Sequence, residues 1–144
     1  MKCVVQRIRD GKVYVDNEVV GKASHGFLVL VGFTNDDTNE KIDWAAYRVA
    51  HMRIFPDENG KLNKSLLDVN GEALVVSNFT LYGDAARGSR PDFMKAAKGE
   101  IAEPMYERFV AKLGEFVHVE TGRFGKHMEL EIYSDGPITI ILEK

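Results

Sequence analysis

The chain has 144 residues, 44% of them hydrophobic and 28% charged, with a formal net charge of −3. That length suffices for one domain with a sizeable core, and no apolar run approaches the roughly 20 residues needed to span a bilayer. The acidic balance speaks against broad nonspecific nucleic-acid binding, though not against a local basic patch; the lone cysteine, Cys3, excludes an internal disulfide framework and suits a reducing, cytoplasmic setting.

The opening MKCVVQRIRDGKVYV lacks the apolar core and cleavage site of a secretory signal. Residues 2–9 alternate as a strand, with Val4, Gln6 and Ile8 on one face and Cys3, Val5 and Arg7 on the other. Asp10-Gly11 is a hairpin signal, so KVYVD is expected to return as a second strand, and Asp16-Asn17 to turn into EVVGK. GFLVLVGF (26–33) is apolar at consecutive positions and should be buried on both faces.

From Thr34 the period changes to that of a helix. Ile42, Ala45, Ala46, Val49 and Ala50 form its stripe, and Asp37 with Glu40 imitates a capping box. The Pro56–Gly60 cluster is a turn. ALVVSNFTLY (73–82) begins as a buried strand and becomes polar at Ser77, Asn78 and Thr80, which is costly unless those groups find partners or face a cavity. The Gly/Arg-rich loop that follows gives this stretch the look of a site floor.

Pro91 is expected to open a short helix over PDFMKAAK. A second helix covers roughly 103–113, with Pro104 in its first turn, Gly114 at its end, and Met105, Phe109, Val110 and Leu113 buried. Three closing strands follow, EFVHVE, HMELEIYS and ITIILEK, the last two joined by a turn at Asp135-Gly136-Pro137. The whole reads as a single mixed α/β domain without repeat or linker.

Several chemistries are excluded. His118-x-Glu120 and His127-x-Glu129 lack the Pro-Cys-x-x-Cys of a zinc deaminase and read better as solvated strand faces. Gly21-Lys22 is no phosphate loop. No Gly-x-Ser-x-Gly elbow occurs, and nothing calls for a metal or a cofactor. What remains is a site of Ser, Asn, Thr, backbone amides and arginines, suited to positioning a substrate and stabilising an oxyanion.

The blocks VVQRI, RIFPDENGKLNKSLLDV, VVSNFTLYGD, GSRPDF, AEPMYERFV, ETGRFG and DGPITIILE together resemble the D-aminoacyl-tRNA deacylase family over essentially the whole chain, residues 1–144. Of its two diagnostic motifs, Gly-Pro-x-Thr stands intact as Gly136, Pro137, Ile138 and Thr139; Ser-Gln-x-Thr stands as Ser77, Asn78, Phe79 and Thr80, with Asn where the family has Gln. The resemblance implies a homodimer of β/β/α layered subunits, its helices on one side, that hydrolyses the ester of D-aminoacyl-tRNA and, secondarily, of glycyl-tRNA. It assigns catalysis to Ser77, Asn78, Phe79 and Thr80. Chiral selection falls to a cis Gly136-Pro137 edge that enters the partner's pocket, with Thr139 beside it and Arg7 holding the segment. The terminal ribose 2′-OH of the tRNA assists the attack. Backbone N–H groups near Phe79 and Thr80 are expected to face the ester carbonyl.

Arg87, Arg90, Lys95 and Lys98 are expected to meet phosphates near the acceptor end. The expected partners are thus tRNA and a second copy of the chain, with no membrane and no DNA. Two rival readings stay open: a non-catalytic binder of the tRNA 3′ end, its activity lost through Asn78, and a hydrolase with Thr80 as nucleophile.

Overall fold

Asp10-Gly11 does not turn the chain. In the computed structural model, which describes residues 1–144, one strand, β1 (Lys2–Val15), runs straight through it. Gly11 sits in a tight place inside the strand: a Cβ there would stand 3.0 Å from Ile8 Cδ1 and 3.1 Å from Ile132 Cδ1, so those side chains would have to give by a few tenths of an ångström. The reversal comes at Asp16 and Asn17, whose φ values of 51° and 66° are the paired positive angles of a tight hairpin turn. That turn leads into β2 (Glu18–Ala23), antiparallel to the second half of β1.

The next strand, β3 (Gly26–Gly32), pairs antiparallel with the first half of β1. After α1 (Asn39–Ala50) and a small ribbon of β4 (Phe55–Pro56) with β5 (Leu62–Lys64), β6 (Glu72–Ser77) returns parallel to β3. Helix α2 (Gly99–Gly114) carries the chain over to β7 (Val119–Thr121), parallel to β6, and the terminal strand β8 (Glu129–Glu143) closes on the free edge of β1. The sheet order is β2-β1-β3-β6-β7, with β8 branching from β1.

Both faces of β3 and β6 are buried, as their unbroken apolar runs require. Phe27, Val29, Val31, Ala73 and Val75 pack with α1 and α2 in the larger core, whereas Leu28, Leu74 and Val76 join Ile8, Val13 and Ala23 in a smaller cluster on the opposite face. The result is a single-domain α/β fold of mixed sheets with its two helices packed together.

Three expectations about the helices need correction. The N-cap of α1 is Thr38, whose hydroxyl accepts from Lys41 N–H at 3.4 Å, while Asp37 is buried and folds back to accept from Thr34 N–H at 2.8 Å. No helix forms over PDFMKAAK: the backbones of Asp84 and Asp92 pair with each other, and Asp92 Oδ1 captures Met94 N–H at 3.1 Å in a local turn. Helix α2 starts at Gly99 rather than near 103, so Pro104 lies in its second turn, and Ala102 and Tyr106 join Phe109 and Leu113 as its buried residues.

The last correction matters for the site. HMELEIYS and ITIILEK are not two strands joined by a reversal, because both halves pair antiparallel with the same β1. Between the pairs Ile8↔Ser134 and Gln6↔Thr139, β1 spends only Arg7 while β8 spends Asp135–Ile138. The segment holding Gly136 and Pro137 is therefore an outward bulge in one continuous edge strand.

Candidate active site

The polar end of β6 lies beside the end of β3, with Ser77 opposite Val31 and Asn78 N–H donating to Val31 O at 2.8 Å. From there the chain coils into a 3-10 helix, Phe79–Tyr82, capped by Asn78. The carboxamide oxygen of Asn78 accepts from Thr80 N–H at 3.2 Å and from the Thr80 hydroxyl at 2.5 Å. This is N-cap chemistry, and a side chain as short as Asn reaches the second residue on. Gly32 makes the close approach possible, since a Cβ there would stand 2.8 Å from Asn78 O.

These residues line a cavity of about 610 Å³. Its walls are mainly apolar, from Val76, Phe33, Ala102, Phe124 and Met128, with Ser77, Asn78 and Thr80 supplying polarity. Phe79, 57% exposed, stands edge-on to Phe93 at 5.2 Å. No carboxylate lines the cavity. The Thr80 hydroxyl gives its proton to an amide, not to a base. Of the two backbone donors expected to face an ester, Thr80 N–H is engaged by the Asn78 carboxamide, leaving that of Phe79 as the one outside this bond.

The second group of expected residues lies elsewhere in the chain. Gly136-Pro137 is a cis peptide, and Gly136 has φ 121°, a value that L side chains rarely adopt. Arg7 is buried beneath the bulge. Its Nη1 donates to Ile54 O at 2.7 Å, and its Nε lies 2.9 Å from Asp135 Oδ2 as an ion pair whose N–H is not aligned for a hydrogen bond. Arg9 reaches the other oxygen of Asp135 at 3.3 Å. Arg7 thus grips the residue just before Gly136. Thr139 faces Gln6, whose Nε2 donates to its hydroxyl at 3.4 Å. Gly136, Pro137 and Thr139 are exposed, and neither they nor Arg7 line the cavity of their own chain.

Arg87, Arg90, Lys95 and Lys98 lie exposed between the 3-10 helix and α2. Lys95 is held 3.5 Å from Asp84, and Lys98 is the N-cap residue of α2 without a side-chain cap bond. None of the four lines the cavity, although Ala97 and Gly99 on either side of Lys98 do. Conversely, the turn Phe124–Met128 brings Lys126 and His127 into the cavity wall. The intact ETGRFG block was a signal that this turn has a role, but no periodicity shows which strand end it covers. His118 Nε2 lies 2.9 Å from Glu120 Oε1, a local pair.

Comparison with known proteins gives a consistent picture. The family model described as D-Tyr-tRNA(Tyr) deacylase matches residues 4–143. The chain is 51% identical to a D-aminoacyl-tRNA deacylase of Brevibacillus brevis, covering 99% of each, and 51% identical to one of Thermus aquaticus, covering 99% of this chain and 95% of the relative. Among solved structures it is similar to a protein named c-Myc DNA unwinding element binding protein, with TM-score 0.94 and 36% identity over 100% of this chain and 99% of the other. It also shares the fold of a probable eukaryotic D-amino acid tRNA deacylase, with TM-score 0.81 and 21% identity over 98% and 97% of the two chains. No helix is long and apolar enough to cross a membrane.

Proposed function

The chain belongs to the D-Tyr-tRNA(Tyr) deacylase family, and from that premise we propose how it performs the family's reaction, the hydrolysis of the ester that joins a D-amino acid to tRNA. The 3′ end of the aminoacyl-tRNA enters the cavity at the ends of β3 and β6. Ser77, Asn78 and Thr80 shape the floor, and the Phe79 N–H is the donor for the ester carbonyl as negative charge develops on it. The observation that carries this reading is the hydrogen bond of the Thr80 hydroxyl to the Asn78 carboxamide, in a cavity without a carboxylate. A hydroxyl whose proton is committed to that carboxamide oxygen is not activated as a nucleophile, and His127, the one histidine in the cavity wall, makes no hydrogen bond to it. The missing function is supplied by the substrate, whose terminal 2′-OH lies next to the ester and assists the attack of water. Glycyl-tRNA, lacking a side chain, is the secondary substrate.

Chirality is read across a dimer. The bulge at Gly136-Pro137 is exposed and does not line its own cavity, and β8 is an edge strand with Tyr133 61% and Ile141 66% exposed, the kind of edge that other chains pair with unless it is covered. A second copy packed there lets each bulge enter the other's cavity, where a backbone edge without a Cβ admits a D residue or glycine and clashes with an L residue. Arg87 and Arg90 extend the contact to phosphates further along the acceptor end, and the setting is the cytoplasm, where aminoacyl-tRNA is charged.

The 2′-OH proposal is tested with D-aminoacyl-tRNA ending in 2′-deoxyadenosine. Turnover should collapse on this substrate while binding persists. Full turnover, or a trapped acyl-enzyme on Thr80, would contradict it.

A further inference from the structure

Of all the side chains lining the cavity, Lys126 is the only one with a fixed formal charge. It sits on the turn between β7 and β8, beside Gly125 at φ 70°, and its backbone N–H closes back onto Arg123 O at 3.3 Å. This short turn presents the side chain at the cavity wall. Its ammonium enters no ion pair, whereas Lys64, Lys95 and Lys112 are each held by a carboxylate. Lys126 is exposed, and an unpaired ammonium at the wall of a cavity whose other polar side chains carry no fixed charge favours an anion.

The anion follows from the chemistry of the substrate. In an aminoacyl ester the carboxyl group is esterified and carries no charge, and the α-amino group is cationic and repelled by Lys126. The only anion close to the reacting bond is the phosphodiester that links the ester-bearing nucleotide to the one before it. A cavity holding that ester meets this phosphate at its rim. We propose that Lys126 binds the phosphodiester immediately 5′ of the terminal nucleoside and so fixes how deeply the 3′ end enters. The inference rests on the reading of the cavity as the 3′-end site. It separates Lys126 from Arg87 and Arg90, which do not line the cavity and are assigned above to phosphates further along the acceptor end.

The test compares wild type, Lys126→Ala and Lys126→Arg. One arm measures binding of a short single-stranded oligoribonucleotide ending in CCA across a KCl series. The other measures hydrolysis of D-aminoacyl-tRNA and of 3′-O-(D-aminoacyl)adenosine, which has no phosphodiester. Lys126→Ala should weaken oligonucleotide binding roughly three- to tenfold and reduce the log–log salt slope by about 0.7, the value for one phosphate contact on a single strand. Lys126→Arg should restore most of both. KM for the tRNA ester should rise by a similar factor with kcat little altered, and the gap should shrink on the phosphate-free ester. Unchanged affinity and slope in Lys126→Ala, or an equal loss on the phosphate-free ester, would overturn the proposal. A wild-type protein that hydrolyses no D-ester would sink the reading of the function instead, and the salt slope would still decide Lys126.

Discussion

Asn78 and Thr80 are bound to each other before any substrate arrives, through a backbone N–H and a hydroxyl that share one carboxamide oxygen. Thr80→Ser keeps both bonds and should leave turnover near normal. Thr80→Ala loses the hydroxyl but keeps the backbone cap, and should slow turnover by about tenfold, the equivalent of about 1.4 kcal/mol. Loss of all activity in Thr80→Ala with tRNA binding intact would restore Thr80 as a nucleophile. Gly136→Ala is the complementary test on the other half of the site. Its φ of 121° is hostile to a side chain, and the new Cβ would stand 2.9 Å from Ile138 N. The bulge must shift, so D-ester turnover or the refusal of L-esters should fail, while circular dichroism stays native because the position is exposed. At this scale Ser77, Asn78 and Thr80 were legible in the sequence, since polar groups at the end of an apolar strand need an explanation. Lys126 and His127 were not: they are ordinary residues of a turn, and only the tertiary fold brings them to the end of β6.

At the scale of elements, the stripe of α1, the doubly buried strands and the turns at Asp16-Asn17 and Pro56–Gly60 could be read from the sequence, whereas half of the α2 stripe and two of the turn signals misled. Asp10-Gly11 and Asp135-Gly136-Pro137 carry strong turn residues, yet both sit inside continuous strands. Gly11 is held in the strand by its pairing with Ala23 and Ile132, and the bulge by the register of β8 on β1; both causes are long-range. The helices bear on the site because α2 supplies Ala102 to the cavity wall. Two polar contacts add to the core packing of α2. Tyr106 donates to Val75 O at 2.9 Å, and burial pushes its phenol up to about 12. Because Gly122 N–H also reaches that carbonyl at 3.1 Å, Tyr106→Phe should cost only about 1 kcal/mol, the net worth of one hydrogen bond, measurable by urea unfolding. Arg108 grips Asp43 of α1 bidentately at 2.8 and 2.7 Å and holds its carboxyl below the usual carboxylate range. A folded pKa below the unfolded one stabilises fully above the unfolded value and is lost as pH falls through the folded value. Asp43→Asn should therefore lower the melting temperature only slightly at pH 7, because a pair this open to solvent is weak. The difference from wild type should close in acid, at and below the folded pKa of Asp43; a gap independent of pH would show that the ion pair contributes nothing.

At the scale of the whole molecule, the proposed dimer would bring together what one chain keeps apart. The Ser77–Thr80 floor and the Gly136-Pro137 bulge occupy separate places on the same subunit, and Tyr133 and Ile141 of β8 remain exposed. Ile141→Asp, on an exposed residue of that strand, should turn a dimer into a folded monomer in sedimentation velocity and remove D-ester turnover with it. A fully active monomer would end the cross-subunit account. The order of the motifs made the fold class legible from the sequence, because they run nearly the whole length of the chain. The separation of the two motifs in a single subunit was visible only in three dimensions. The most direct measurement is deacylation of matched D- and L-tyrosyl-tRNA by the wild-type protein under identical conditions. Rapid release of D-tyrosine with the L-ester left intact is expected; tRNA binding without turnover, or equal hydrolysis of both esters, would contradict the assignment.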